Sequence, residues 1–170
     1  GIIACEATYP WGARRYGLPE TEFKGAVMLT VAGNKVVHIE GGWEAERYKA
    51  ALEETAQAIG ERAYEIDSWH SGMSPKAFSS FYPKVDPDRW DKLLHNHENW
   101  FHFHIGGIST KDYNKTQQAE HVNSVCRNAT VYLDGEIMAK NGHLWIWDDP
   151  EVRELAKRYG GPEALFAPKE

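Results

Sequence analysis

Residues 129–147 read ATVYLDGEIMAKNGHLWIW, and this stretch decides the fold class. Two dipeptides, Asp134-Gly135 and Asn141-Gly142, divide it into three apolar-rich segments, which are residues 129–133, 136–140 and 143–147. Asp-Gly and Asn-Gly favour the type I′ turns that join two antiparallel strands through a two-residue loop. The stretch therefore predicts a three-stranded antiparallel meander.

Upstream of the meander, the chain alternates between strand and helix patterns. Residues 25–31 and 35–39 are rich in β-branched side chains, and Ala32-Gly33-Asn34 between them is typical of a hairpin turn. Residues 43–59 follow with a helical pattern that ends at Gly60. Its apolar side chains recur every three or four residues, at Ala45, Tyr48, Leu52, Ala56 and Ile59. Strands are predicted for residues 63–66 and 100–105, with a loop after the first that carries Trp69 and His70.

Two further helices are indicated by the residues that open them. Asp86-Pro87 and Asp149-Pro150 each place an N-cap side chain before a proline in the first turn, where its missing N–H costs no hydrogen bond. The expected inward side chains are Trp90, Leu93, Leu94 and His97 in the first, and Val152, Leu155 and Tyr159 in the second. The second should end at Gly160-Gly161. The predicted fold class is α+β, with a mixed, largely antiparallel sheet, a C-terminal meander and three helices.

Length and composition limit the classes of function. The 170 residues predict one domain over 1–170, and 19 Lys and Arg against 25 Asp and Glu leave a net charge of −6. That balance argues against a nucleic-acid partner, since binding to phosphates needs clustered cations. No apolar run reaches the ~18–20 residues of a membrane span, so no membrane partner is expected. Cys5 and Cys126 are predicted to be reduced, buried thiols in a cytoplasmic protein.

The histidines form the first candidate site. The chain has eight, and five of them fall between His95 and His121. In a strand over residues 100–105, His102 and His104 would share one face and could both reach one metal ion, with His121 as a third ligand. The alternative is that these are polar pocket residues bonded to the backbone. Both interpretations stay open, because two histidines without a nearby carboxylate are not distinctive of a metal site.

The seven tryptophans form the second candidate site. In a strand over residues 143–147, Trp145 and Trp147 would lie on one face and Leu144 and Ile146 on the other. Two apolar faces need two covers, and the second could be a helix, a second subunit or a ligand. We therefore predict a homodimer, because large exposed apolar patches mark interaction sites. Trp69, Trp100, Trp145 and Trp147 are the candidate anchors for a ligand.

Six short motifs follow one another in an order that is familiar from a known family. They are Thr8-Tyr9-Pro10-Trp11-Gly12, residues 39–45, residues 68–75, His104-Ile105-Gly106-Gly107, His121-Val122-Asn123 and Leu133-Asp134-Gly135. This order resembles the C-terminal catalytic domain of 2,5-dihydroxypyridine 5,6-dioxygenases and of the related M29-type metallo-aminopeptidases. The resemblance covers nearly the whole chain. It implies a single dioxygenase-like domain that lacks the N-terminal domain of those relatives.

The resemblance also implies where metal ligands would be expected. In the dioxygenases, a histidine after a strand and a later His-x-Asp hold iron. Those places correspond here to Ser68, with His70 two residues further on, and to His121-Val122-Asn123, where an amide replaces the carboxylate. Only His104 and His121 match ligand-type positions. The implied expectation is that the chain has no catalytic residue and no bound metal. If iron or zinc does bind, His70, His104 and His121 are the expected ligands.

The resulting interpretation is a catalytically inactive, peptide-binding accessory protein. Short relatives of this kind take part in ribosomal-peptide natural-product biosynthesis, so the resemblance implies that a precursor peptide or aromatic ligand is presented to a tailoring enzyme. The predicted ligand-binding residues are Trp69, His70, Trp100, His102, His104, His121, Asn123, Trp145 and Trp147. One alternative is an iron- or zinc-dependent dioxygenase or hydrolase that uses His70, His102, His104 and His121. Another is a structural subunit that supplies a missing domain in trans.

Overall fold

The structure, a computed structural model, describes residues 1–9, 12–13, 17–18, 21–77, 86, 89, 95–106 and 122–166. The chain divides into two compact units, one of Gly1–His70 with His102–Cys126 and one of Ser71–Phe101 with Arg127–Glu170. Antiparallel strands dominate and helices complete the fold, which confirms the α+β class. No helix in the described ranges is long and apolar enough to cross a lipid bilayer.

Most residues of a six-stranded sheet belong to the first unit. In this sheet β1 pairs antiparallel with both β2 and β6, and β2 pairs antiparallel with β3. The spatial order is β3-β2-β1-β6-β5-β4, so β4 and β5 are neighbours at one side. The strands are β1 (Ile2–Ala7), β2 (Glu22–Ala32), β3 (Lys35–Glu40), β4 (Ile66–Ser71), β5 (Trp100–Ile105) and β6 (Val122–Arg127).

The predicted N-terminal hairpin is confirmed, with a tighter turn than the three residues expected. Ala32 lies opposite Lys35, so only two residues form the loop. Gly33 and Asn34 have φ angles of 54° and 64°. Two consecutive positive φ values are the signature of a type I′ turn, whose twist matches that of the strands.

Helix α1 spans Trp43–Ile59, the range that the apolar spacing predicts. Its inner face is built on Ala45, Tyr48 and Leu52, which are buried. The hydroxyl of Tyr48 is hydrogen-bonded to Ser124 of β6 and ties the helix to the sheet. The helix ends at Gly60, whose φ of 71° is open to glycine at little cost.

The strand predicted for residues 63–66 is wrong. Gly60–Tyr64 form a 3₁₀ helix, and β4 begins only at Ile66. A run of four residues is too short for periodicity to separate a strand from a helical turn. Here Ala63 is fully buried, and Gly106 donates to the carbonyl of Glu65 at 2.8 Å. The correction has a consequence for the site, because Trp69 and His70 lie on a strand and not in a loop.

The second unit contains the predicted meander. Its strands are β7 (Val131–Leu133), β8 (Glu136–Lys140) and β9 (His143–Leu144), in the order β7-β8-β9. Asp134 and Gly135 have φ angles of 50° and 87°, and Asn141 and Gly142 have 51° and 81°. Both loops are therefore two-residue turns of the kind that their dipeptides favour.

The third meander strand is shorter than predicted, so the expectation of two apolar faces on it is wrong. Trp145–Asp148 form a 3₁₀ helix in place of the strand. Two contacts turn the chain away: the Leu144 N–H donates to the carboxylate of Glu98 at 3.2 Å, and the Trp147 ring stacks on Phe166 at 4.7 Å between ring centres. Trp145 and Ile146 are exposed, but not on opposite faces of one strand.

Helix α2 spans Pro150–Ala156 and begins as predicted. The Asp149 carboxylate accepts the N–H groups of Glu151 and Val152 at 2.8 and 3.2 Å. The predicted inner face is wrong, since Leu155 and Tyr159 are 50% and 69% exposed and Ala156 is the buried side chain. Leu155 lies within the helix on a side that the protein does not cover, and Tyr159 lies beyond it in a 3₁₀ turn, where the α-helical spacing no longer applies.

The chain then reverses at Gly160, with a φ of 103°, and ends its described part in α3 (Pro162–Phe166).

For the other predicted helix, Asp86 accepts the Arg89 N–H at 3.0 Å, as an N-cap would. Trp90, Leu93 and Leu94 lie outside the described residues. His97 is not helical and instead forms a parallel bridge with Ser74.

Candidate metal centre

Three histidines of the first unit converge on one face of the sheet. His70 lies on β4, and His102 and His104 lie two residues apart on the neighbouring strand β5. Because side chains of a strand alternate between faces, His102 and His104 point the same way. One ligand nitrogen from each of the three lies within 4.8 Å of the others.

The three imidazole rings form a nearly equilateral triangle. Their centres lie 4.8 Å apart for His70 and His102, 4.9 Å for His70 and His104, and 5.0 Å for His102 and His104. Around an ion with metal–nitrogen bonds of about 2.0–2.1 Å, three ring centres stand roughly 4.5–5.2 Å apart. The spacing of the rings therefore fits one shared metal ion.

The three ligands differ in burial and in freedom to move. His102 is fully buried and packs edge-on against Tyr9, with 5.4 Å between ring centres and 81° between planes. His104 is half-buried and His70 is exposed. The rings of His70 and His102 are within 14° of parallel, so one must rotate before both can aim at a single ion. The exposed His70 is the ring with room to do so.

Ser68 contacts His70 on the same strand, a contact that the sequence interpretation missed. Its hydroxyl oxygen lies 3.0 Å from Nε2 of His70. Residues two apart on a strand share a face and are separated by ~6.6 Å along it. The resemblance expects a metal-binding histidine at position 68. His70 lies on the same face of β4 as that position. The i, i+2 spacing of the two polar residues was the signal available in the sequence.

Asn123, which stands where the resemblance expects a carboxylate, is buried in β6 beside β5. Its backbone carbonyl accepts the hydroxyl of Thr8 at 3.1 Å, which fixes this part of the strand. The side chain is a neutral amide and brings no charge to the face. His121, the third predicted ligand, lies outside the described residues, so its role remains a prediction.

The predicted tryptophan anchors are distributed over both units of the chain. Trp69 is 44% exposed, and strand alternation directs it to the face opposite Ser68 and His70. Trp100, Trp145 and Trp147 belong to the second unit. Trp100 is buried there and is a core side chain, whereas Trp145 is exposed in the 3₁₀ turn. The ligand-binding role of these side chains remains a prediction.

The two cysteines are free and buried, as the composition predicts. Cys126 lies inside β6. A hydrogen bond with the Cys5 side chain, together with burial, raises the pKa of the Cys126 thiol far above its ordinary value. Cys126 is therefore a protonated thiol at neutral pH, and thiolate is the form that ligates metals.

Comparison with known proteins agrees with this architecture. No protein-family model matches the chain, and no curated protein matches it. A solved structure of 2,5-dihydroxypyridine dioxygenase from Pseudomonas putida KT2440 matches with a TM-score of 0.63 and 18% sequence identity. The fold is dioxygenase-like. The match covers 90% of this chain and 41% of that one, so the chain spans about two fifths of the dioxygenase.

The structural similarity confirms the expected fold. Which metal ion the chain could bind has to be argued from the residues of the candidate site. The donor set in the described residues is three imidazoles, which suit zinc, iron, copper and nickel. Three protein ligands leave further coordination positions open, as in catalytic metal sites. The donor set therefore fits a divalent transition metal once one of the near-parallel rings of His70 and His102 has turned.

Proposed function

We propose that this protein binds one divalent transition metal ion, iron or zinc, through His70, His102 and His104 and acts as a metal-dependent enzyme. The observation that carries the proposal is the convergence of three ligand nitrogens within 4.8 Å on one face of the sheet. The similarity of the fold to that of a dioxygenase supports it, because the resemblance in sequence motifs implies an iron site in such enzymes.

The three histidines have different roles in the proposed site, and these roles follow from how deeply each is buried. His102, fully buried against Tyr9, provides a rigid ligand inside the unit. His70 is exposed, so the side of the cluster that it forms is open to solvent and to a substrate. When bound, the ion would supply open coordination positions at which a substrate can be polarised. His104, half-buried between the two environments, completes the triangle.

Metal content is the direct test. Protein purified without a histidine tag, stripped with a chelator and titrated with Zn²⁺ or, without oxygen, with Fe²⁺, should bind one equivalent per chain. Elemental analysis after gel filtration measures the stoichiometry. A metal content well below one equivalent per chain would contradict the proposal. That low content is what the resemblance implies, because Ser68 and Asn123 stand where it expects metal ligands.

A second candidate function is peptide binding, and Trp69 is the observation that favours it. Strand β4 is at the edge of the six-stranded order, where an extended peptide can add through main-chain hydrogen bonds. Trp69 is exposed on that strand and offers an aromatic anchor. In this proposal the protein is a non-catalytic accessory protein of the cytoplasm that presents a precursor peptide to a tailoring enzyme. The exposed Trp145 and Ile146 would be the surface of a homodimer.

For the peptide proposal, Trp69→Ala is expected to weaken binding of an unphosphorylated, hydrophobic peptide about thirtyfold, or ~2 kcal/mol. Trp43→Ala is the matched control, because Trp43 is also exposed but lies on α1. Calorimetric titration at low and physiological salt should give similar affinities, since screening acts on charges. Steep salt dependence with no effect of Trp69→Ala would contradict peptide binding at this strand. A strictly monomeric mass in light scattering would contradict the homodimer.

A further inference from the structure

The hydrogen bond between Ser68 and His70 joins a candidate ligand to a neighbour on its own strand. The Ser68 oxygen and the His70 Nε2 nitrogen are 3.0 Å apart, within the normal range for a hydrogen bond. Ser68 is half-buried and His70 exposed, so the contact lies at the boundary between the sheet and the solvent. Among the three candidate ligands, His70 is the one that the protein interior does not hold.

The chemistry of imidazole turns this contact into a choice between two nitrogens. A histidine binds a metal as the neutral ring, through the nitrogen that carries no proton. The remaining proton then sits on the other nitrogen and is donated to a partner, which fixes the tautomer and the ring orientation. At His70 the partner in place is Ser68, and it faces Nε2.

Building on the proposed metal site, we infer that Ser68 is a positioning residue for His70. Its hydroxyl oxygen accepts the proton on Nε2, so that Nδ1 is the nitrogen presented to the metal. Ser68 also keeps the exposed side chain of His70 beside His102 and His104 before any ion arrives, and the His70 ring turns out of its near-parallel stack on His102 to present Nδ1. Position 68, where the resemblance expects a metal ligand, thus holds Ser68, the hydrogen-bond partner of the proposed ligand His70.

The test compares Ser68→Ala and Ser68→Thr with a control on the same strand. Zn²⁺ affinity, measured by competition with a chromophoric chelator, should fall about 10- to 100-fold in Ser68→Ala, the range for removal of an outer-shell partner. Ser68→Thr keeps the hydroxyl and suits a strand, so affinity should recover. Ser71→Ala is the control, since Ser71 lies on the opposite face of β4 and donates to the Gly72 carbonyl. Its affinity should equal that of the wild type.

A second readout reports on the nitrogen itself. In ¹⁵N-histidine NMR spectra of the zinc-loaded full chain, His70 should show a protonated Nε2 and a metal-bound Nδ1. Equal affinities for wild type and Ser68→Ala, or a zinc-bound Nε2 at His70, would overturn the inference and leave the metal site standing. A wild-type chain that binds no zinc would overturn both.

Discussion

Replacing His104 with alanine is expected to lower Zn²⁺ affinity by more than ~100-fold, beyond the effect of losing an outer-shell partner. The substitution removes one of three imidazoles whose ring centres lie 4.8–5.0 Å apart, so the ion keeps two protein ligands. His104 is half-buried, which makes truncation tolerable for the fold. Chelator competition and elemental analysis measure the loss, and circular dichroism checks that the chain remains folded.

His70→Ala should produce a loss of the same order, and it is the second variant because His70 is exposed and its removal opens no cavity. His38→Ala is the matched control: His38 is exposed on β3 and lies 3.5 Å from Glu40, away from the cluster. Retention of one tightly bound equivalent in both His104→Ala and His70→Ala would show that the metal, if any, is held elsewhere.

Gly72→Ala is expected to destabilise the second unit severely, by about 4 kcal/mol or more. A Cβ at Gly72 would lie 2.2 Å from the carbonyl oxygen of His97 and 2.3 Å from the carbonyl carbon of Asn96. Both are backbone atoms, so no side-chain rotation relieves the clash. The approach is held in place by the Ser74 N–H, which donates to the Asn96 carbonyl at 2.9 Å. Urea unfolding followed by tryptophan fluorescence measures the change.

Gly25→Ala is the control for this substitution. Gly25 is also a glycine of the described chain, on β2, and a Cβ there meets nothing within 4 Å. Its stability should stay within ~0.5 kcal/mol of the wild type. If both alanine variants unfold at the same urea concentration as the wild type, the close backbone approach at Gly72 does not exist in solution.

The elements that the sequence predicts correctly are those whose geometry depends on neighbouring residues. Asp134-Gly135 and Asn141-Gly142 adopt the positive φ angles that close a two-residue turn, whatever lies elsewhere in the chain. The range of α1 follows from a 17-residue periodic pattern that ends at a glycine. Strand β5 follows from alternation over Trp100–Ile105 and a stop at Gly106, whose φ is 84°.

The elements predicted wrongly depend on contacts between distant parts of the chain. Local propensity extends the third meander strand to Trp147, yet the strand stops at Leu144. The Leu144 N–H bonds to Glu98, a partner 46 residues away, and the Trp147 ring is drawn onto Phe166. The same reasoning applies to the inner face of α2, where packing buries Ala156 and leaves Leu155 of the same helix exposed.

By itself, then, the sequence determined the turns, the long helix, the α+β class and the pairing of His102 with His104 on one strand face. The resemblance names His70 among the possible ligands, but only the tertiary structure places it against His102 and His104, because that contact requires β4 to lie beside β5 in the sheet order. Turn and helix signals are carried by bonds within a few residues, which a pattern records directly. A site of three ligands on two strands is created by sheet pairing between segments far apart in the chain, and no local pattern encodes that pairing.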